Sequence, residues 1–360
     1  MALSAIVHHT GLEFSGGATR VARLLMDGIN EQGIISPVTF ELAEGDDSNA
    51  IVPGAFGPGL SQAEIGHVHC TGNWPALLSS FNVGQKVVIT LHDCELFTGG
   101  CPYPLGCQTI DADCANPCPR KFPDSEDLRK LKHQLIDHVD PVLVAPSRWL
   151  GRLAKSHLFR SVNVIPNGIP WPKRPMRQSE ARRQLGINPV ARVALFVAHG
   201  GTGAAYKSGQ SWKTIWAALK KAVPEALCFA VGGDTAGRDG DLVIWPYVER
   251  DRLELLMAAS DVLLYPTQAD NHSLVVLEAM TQALPVLAYN VGGIPEQITD
   301  KQTGRLVEQG KQKEFIQVAA DMLTNPAQCR DLGQAAFSQG QKRFTAERMV
   351  ADYMKLYGQM

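Results

Sequence analysis

Two consecutive α/β domains, each a doubly wound parallel sheet, are what this sequence predicts, and three observations predict them. Short apolar runs alternate with helix-like segments along nearly the whole chain, the pattern of sheets built from β–α–β units. At 360 residues the chain exceeds one typical domain. Near its middle, Ile169 to Arg177 turns rich in proline (Pro170, Pro172, Pro175) and basic residues, a linker composition. The expected division is 1–170, 171–340 and a C-terminal helix within 341–360.

The elements follow in order. Ala5 to His8 is a first strand and Gly11 to Gly17 a loop. Ala18 to Asn30 has helical spacing through Val21, Leu24, Leu25 and Ile29, with Gly33 as a stop signal. Apolar runs at Gly66–His69, Lys86–Leu91 and Pro141–Ala145 read as strands, each followed by turn residues and a helix-like stretch. Leu158 to Pro166 contains another extended run, ending at Asn167-Gly168. In the second half, Val193–Ala198, Ala226–Val231, Asp241–Ile244, Val262–Tyr265 and Val286–Tyr289 read as strands, Trp212–Val223 and Phe344–Tyr357 as helices.

Composition excludes several classes. Hydrophobic residues make up 45% and charged residues only 19%, which argues for packed cores and against a disordered or coiled-coil chain. A net charge of −2 gives no global case for nucleic acid as a partner. No run of 18 apolar residues appears, so no membrane span is expected. Met1 to His9 lacks the basic start and cleavage site of a signal peptide; a cytoplasmic protein is expected. Five of the eight cysteines lie between Cys94 and Cys118.

The most informative segment runs from Val262 to Met280. A strand ending at Tyr265 meets a turn, Pro266 to Asp270, and a helix starts near Ser273 with Glu278 inside it. First-turn amides and the helix dipole make an anion site. Asp270 and Glu278, eight positions apart, suit a nucleotide-linked sugar: amides for the diphosphate, carboxylates for sugar hydroxyls. On spacing alone, a strand, a capped helix and two solvated acids is the favoured reading.

This segment resembles the signature of the family 4 retaining glycosyltransferases, in which two acids separated by seven residues straddle such a turn. Glu278-Ala-Met-Thr-Gln-Ala-Leu-Pro285 and Val291-Gly292-Gly293-Ile-Pro295-Glu296 continue the likeness. Further anchors are Val164-Ile-Pro-Asn167-Gly168 and Phe14-Ser-Gly16-Gly17. Many members have Glu where this chain has Asp270. The resemblance implies the GT-B fold: two Rossmann-like domains facing a cleft, with the last helix packing back on the first domain. It implies transfer of a sugar from a nucleotide-sugar donor to an acceptor hydroxyl, with no cofactor for catalysis.

The implied site residues are these. His92, at the end of Val87–Leu91, would contact the transferred sugar. Lys207, in the Gly-rich stretch after Val193–Ala198, would stabilise the departing diphosphate; it is not a P-loop lysine, because Tyr206 precedes it. Asp270 completes the catalytic set. Gly16 and Gly17 permit close backbone approach to a phosphate or acceptor. Tyr247 and Val248 would hold the base, with Gly232-Gly233-Asp234 nearby; His272, Ser273 and Leu274 would hold the diphosphate, and Glu278 the ribose. His67 and His69 read as core or rim packing.

Cys101, Cys107, Cys114 and Cys118 are spaced by five, six and three intervening residues. Four thiolates in a polar, Pro-rich loop suit a structural zinc; paired disulfides and reduced thiols are the alternatives. With Thr98-Gly99-Gly100-Cys101, the loop resembles an exopolysaccharide (colanic-acid-type) subgroup. That likeness implies a glycan or lipid-linked oligosaccharide acceptor and peripheral contact with the inner membrane face. Two other readings stay open: a catalytically weak nucleotide-sugar-binding partner of a glycosyltransferase complex, and another GT-B enzyme such as an epimerase.

Overall fold

The computed structural model describes residues 5–44, 58–61, 63–111, 113–197, 209–232 and 235–360. The chain forms two compact units, one comprising Met1–Gly168 with Ala346–Met360 and the other Ile169–Thr345.

In the first unit the described residues form a six-stranded sheet. Its strands are β1 (Ile6–Leu12), β2 (Val38–Leu42), β3 (Ile65–Val68), β4 (Lys86–Thr90), β5 (Val142–Ala145) and β6 (Val162–Val164), in the order β2-β1-β3-β4-β5-β6. All neighbours pair in parallel. β1 runs past the expected His8, because Leu12 still pairs with Leu42. β2 itself has no apolar-run signal; its Glu41 is buried in polar contacts.

The helix Gly17–Asn30 buries Val21, Leu25 and Ile29 completely, each contributing about 1.5–3 kcal/mol by removal from water. The C-terminal helix, Ala346–Tyr357, lies against it. Gly28 permits that approach, since a Cβ there would stand 2.6 Å from Val350 Cγ2. The same helix places Tyr353 and Tyr357 over the sheet, where their hydroxyls bond Thr90 Oγ1 (2.7 Å) and His67 Nδ1 (2.6 Å).

The second unit holds β7 (Arg192–Val197), β8 (Ala226–Val231), β9 (Gly237–Asp239), β10 (Leu242–Trp245), β11 (Val262–Tyr265), β12 (Val286–Tyr289) and β13 (Gly304–Val307). Among the described residues the order is β13-β12-β11-β7-β8-β10-β9, with β9 antiparallel to β10 and the rest parallel. β9 and β13 were not expected from the sequence, nor was the helix Gln178–Leu185 beyond the proline-rich stretch. That helix is tied to the sheet by Arg182, which donates to Asp261 Oδ2 (2.9 Å) and Ala259 O (3.0 Å). Asp261 Oδ2 also accepts from Val193 N–H (2.7 Å).

Parallel pairing sends every strand but β9 toward one carboxyl edge of its sheet. β1 is flanked by β2 and β3, and β7 by β8 and β11. At such reversals of strand order open α/β sheets have their ligand crevice. No helix among the described residues is long and apolar enough to cross a membrane.

Candidate functional site

At the carboxyl end of β11, Tyr265 is 2% exposed and Asp270 half-buried. The Tyr265 hydroxyl donates to Asp270 Oδ2 at 2.6 Å and accepts from Ser273 Oγ at 3.2 Å. Burial, and then the Asp270 carboxylate, push the Tyr265 phenol well above its usual range, with Glu278 adding to the shift. Tyr265 therefore stays a neutral donor and lies in the field of both acids.

Ser273 is the N-cap of the helix Leu274–Thr281, its Oγ accepting from Val276 N–H at 3.4 Å. Its own N–H is taken by Gln297 Oε1 (2.9 Å), and Gln297 Nε2 returns a bond to Ser273 O (2.9 Å) and approaches His272 Nδ1 (3.4 Å). The Ser273 amide is thus committed within the protein. Leu274 and Val275 supply the first-turn amides that have no acceptor inside the helix. Glu278 is buried on the second turn of this helix.

The Gly292-Gly293 pair has a specific job. Gly292 has φ +57°, and a Cβ on it would lie 2.0 Å from Asp270 O. Gly293 N–H donates to that same carbonyl at 3.0 Å. The two glycines after β12 therefore clamp the backbone of Asp270. Tyr247 follows β10 and is 71% exposed, with Val248 half-buried beside it. Lys207 and Gly233-Asp234 lie outside the described residues.

The first unit carries a cluster of imidazoles inside β1 and β3 and just beyond β3 and β4. His8, His67 and His69 are fully buried, and His92 is largely so. His8 Nδ1 meets His69 Nε2 at 3.1 Å, and His69 Nδ1 meets His92 Nε2 at 3.2 Å. His67 uses Nδ1 on Tyr357 and Nε2 on Thr90 Oγ1 (2.8 Å). Burial holds His8 down to about 3 and His92 to about 4. Burial, then the neighbouring imidazoles, keeps His67 and His69 well below the usual histidine range. All four are neutral at pH 7. His67 and His69 thus belong to a hydrogen-bonded polar core.

Next to His92, burial raises Asp93, and burial together with Asp93 raises Glu95. Burial lowers Lys132 to about 8; its ammonium donates to Glu95 O. Gly16 (φ +93°) and Gly17 are exposed at the start of their helix. The loop ahead of them already holds a carboxylate: Glu44 Oε2 accepts from Phe14 N–H (2.7 Å) and Ser15 N–H (2.8 Å).

Cys101, Cys107, Cys114 and Cys118 line one pocket together with Arg120 and Ser125, and all are free thiols. Arg120 Nη1 donates to Cys101 Sγ at 2.9 Å, Cys107 Sγ pairs with Thr109 Oγ1 at 3.2 Å, and Arg129 Nη1 approaches Cys114 Sγ at 3.7 Å. Sulfurs bound tetrahedrally at 2.3 Å from zinc lie about 3.8 Å apart. Among the described residues the group whose ligand atoms all come within 4.8 Å of one another is His8, His67 and His69, not the cysteines. The four thiols surround a pocket, with a guanidinium against two of them, Cys101 and Cys114.

Sequence reasoning had singled out Asp270, Ser273, Glu278 and His92. It missed Tyr265 and His8, which read as parts of strands, and Gln297, which no motif marks. A buried tyrosine at a strand's carboxyl end, five residues before an acid, was the available signal.

Comparison with known proteins fits this geometry. Residues 237–339 match the family model described as glycosyl transferases group 1. The chain is 24% identical to D-inositol 3-phosphate glycosyltransferase of Segniliparus rotundus over 63% of its own length and 55% of that protein's. It is 32% identical to N-acetyl-alpha-D-glucosaminyl L-malate synthase of Bacillus anthracis over 30% of the chain and 29% of that protein. The chain therefore spans about half or less of these two curated relatives. Among solved structures it resembles sucrose-phosphate synthase from Thermosynechococcus elongatus, with a TM-score of 0.76 at 18% identity, covering 99% and 98% of the two chains. Anabaena HepE in complex with UDP-glucose gives 0.69 at 14% identity, covering 99% and 100%. At these identities the likeness establishes the fold, which is that of the GT-B glycosyltransferases.

Proposed function

We propose that this chain is a retaining glycosyltransferase of the group 1 type that moves a sugar from a nucleotide-sugar donor to an acceptor hydroxyl. The observation that carries the reading is the constrained Asp270: its carboxylate held by Tyr265, its carbonyl clamped by Gly292-Gly293, and the Leu274–Thr281 helix starting just beyond it. A carboxylate fixed on both sides beside first-turn amides suits a sugar joined to a diphosphate, because amides meet the anion and the acid accepts from hydroxyls. Glu278, one turn further, is assigned to the ribose, and Tyr247 and Val248 to the base.

In this reading the leaving nucleoside diphosphate gains charge as the glycosidic bond breaks. The amides of Leu274 and Val275 and the Lys207 ammonium oppose that charge. The bond from the anomeric carbon to the diphosphate oxygen breaks, the acceptor oxygen bonds to that carbon on the same face, and the departing phosphate takes up the acceptor's proton. Asp270 holds sugar hydroxyls, and His92 is assigned a contact to the transferred sugar. The acceptor is proposed to be a glycan or lipid-linked oligosaccharide of a surface polysaccharide. The cysteine loop takes no part in the chemistry, and no step depends on a metal there.

UDP-sugars are the first donors to test, since HepE was crystallised with UDP-glucose. Nucleotide sugars are screened for thermal stabilisation; a donor at 100 times its Kd adds about 2.7 kcal/mol. Glu278→Ala is expected to lose that stabilisation and at least about tenfold of turnover while remaining folded. Product analysis with and without acceptor then separates transfer from epimerisation. A wild-type protein stabilised by none of the nucleotide sugars would overturn the proposal and favour a non-catalytic partner of a complex.

A further inference from the structure

We infer that His69 and His8 are positioning residues: two successive imidazole–imidazole hydrogen bonds fix the tautomer of His92, so that Nδ1 is its only proton-bearing atom. The geometry is the buried line His8 Nδ1–His69 Nε2 (3.1 Å) and His69 Nδ1–His92 Nε2 (3.2 Å). A neutral imidazole has one N–H and one lone pair. Once one ring's tautomer is set, the others in the line follow. Only two proton orders exist.

His8 Nε2 decides between them. It is buried and has no hydrogen-bond partner. In one order it carries the proton, which leaves a buried N–H with no acceptor. In the other it is a bare lone pair, and unanswered acceptors are tolerated more often than unanswered donors. The second order puts a proton on Nδ1 of all three rings. His8 Nδ1–H then donates to His69, and His69 Nδ1–H donates to His92 Nε2. His92 has its acceptor consumed and acts only as a donor through Nδ1. With no lone pair left, His92 in this form cannot remove a proton.

A metal is the rival occupant, because ligand atoms of His8, His67 and His69 lie within 4.8 Å of one another. It fits less well. A metal held through His8 Nδ1 and His69 Nε2 needs lone pairs on both, which returns the proton to the partnerless His8 Nε2; one held through His8 Nε2 leaves the His8–His69 hydrogen bond in place and is told apart by the metal assay below. It also takes a nitrogen of His67 away from Tyr357 or Thr90.

The tautomer is read directly by nitrogen NMR of the full chain labelled at histidine, with the His92 signal among the ten histidines identified by its loss in His92→Asn. Wild type is expected to hold His92 in the Nδ1–H form at neutral pH, a measurement that needs no variant to fold. His69→Leu is expected to turn His92 into a tautomer mixture, and His69→Asn, which keeps an amide near the Nδ1 position, to restore it. His8→Leu gives an independent cut of the same line. A wild-type Nε2–H form, an unchanged His92 signal in His69→Leu, or one equivalent of bound metal in the purified protein each overturns the inference. The kinetic consequence rests on the proposed sugar contact of His92: His69→Leu is expected to lower kcat about tenfold with the donor KM nearly unchanged. If the tautomer responds and kcat does not, the hydrogen-bonded line stands and the role assigned to His92 in transfer is what fails.

Discussion

Mild acid should unfold the first unit, and the cause is the imidazole cluster of His8, His67, His69 and His92. His8, His67, His69 and His92 all bind protons far less readily in the folded chain than the ordinary value near 6.5. A histidine with a depressed folded pKa contributes stability that is complete above about pH 6.5 and lost as pH falls below it, because only the unfolded chain takes up the proton. At pH 5 each neutral, buried histidine costs about 2 kcal/mol relative to pH 8, and four reach about 8 kcal/mol. Asp93 and Glu95 act in the opposite sense. Their folded values, raised to about 6 and about 7, let the native state gain protons over the same range, which returns about 4 kcal/mol. The net loss of about 4 kcal/mol is a large fraction of the stability of a typical domain. Urea unfolding at fixed ionic strength, stepped from pH 8 to pH 5, measures it. The midpoint should hold steady down to about pH 7 and then fall steeply, and His8→Leu should flatten the fall by about one proton's worth of slope. A midpoint that stays level to pH 5 would refute the argument, because it would mean the rings are charged or exposed in the folded protein.

Three substitutions test the second unit. Gly292→Ala forces a Cβ to 2.0 Å from Asp270 O at a positive φ; donor binding measured by calorimetry should weaken at least about tenfold, together with a lower melting temperature. Gly333→Ala meets Ala283 O at 1.8 Å, away from the Asp270 turn, so thermal stability should drop while donor affinity stays within about twofold. Asp261→Ala strips the buried Arg182 of its carboxylate partner and should cost about 3–5 kcal/mol in urea unfolding, against less than about 1 kcal/mol for removing the half-buried Glu254 from its pair with the exposed Arg250.

What the sequence revealed depended on whether a segment's neighbours are apolar or polar. β8, β11 and β12 could be read directly, because a strand covered on both faces is a continuous apolar run. β2 could not. Its Thr39 and Glu41 answer His9, Thr71 and Gly72 from other strands and loops, so its polar residues looked like loop. β13 has only Leu306 and Val307 as apolar residues, and β9 none. The helix Gln178–Leu185 was hidden by its arginines, one of which is buried against Asp261. The candidate site divides in the same way. Asp270, Ser273 and Glu278 lie in one continuous motif, so spacing alone brings them together. The groups that hold Asp270 arrive from elsewhere: Tyr265 from inside a strand, Gly292 and Gly293 from the end of the next one. The histidines make the point most sharply. His67 in β3 and His69 just beyond it read as core or rim packing, and both are buried; what the sequence does not show is that the hydroxyls of Tyr357 and Tyr353 from the C-terminal helix answer His67 and Thr90. A buried polar layer needs each group answered by another far away in sequence. No local pattern encodes that matching, and the same matching makes the layer a specific device, because a change in one ring's proton is felt by the next.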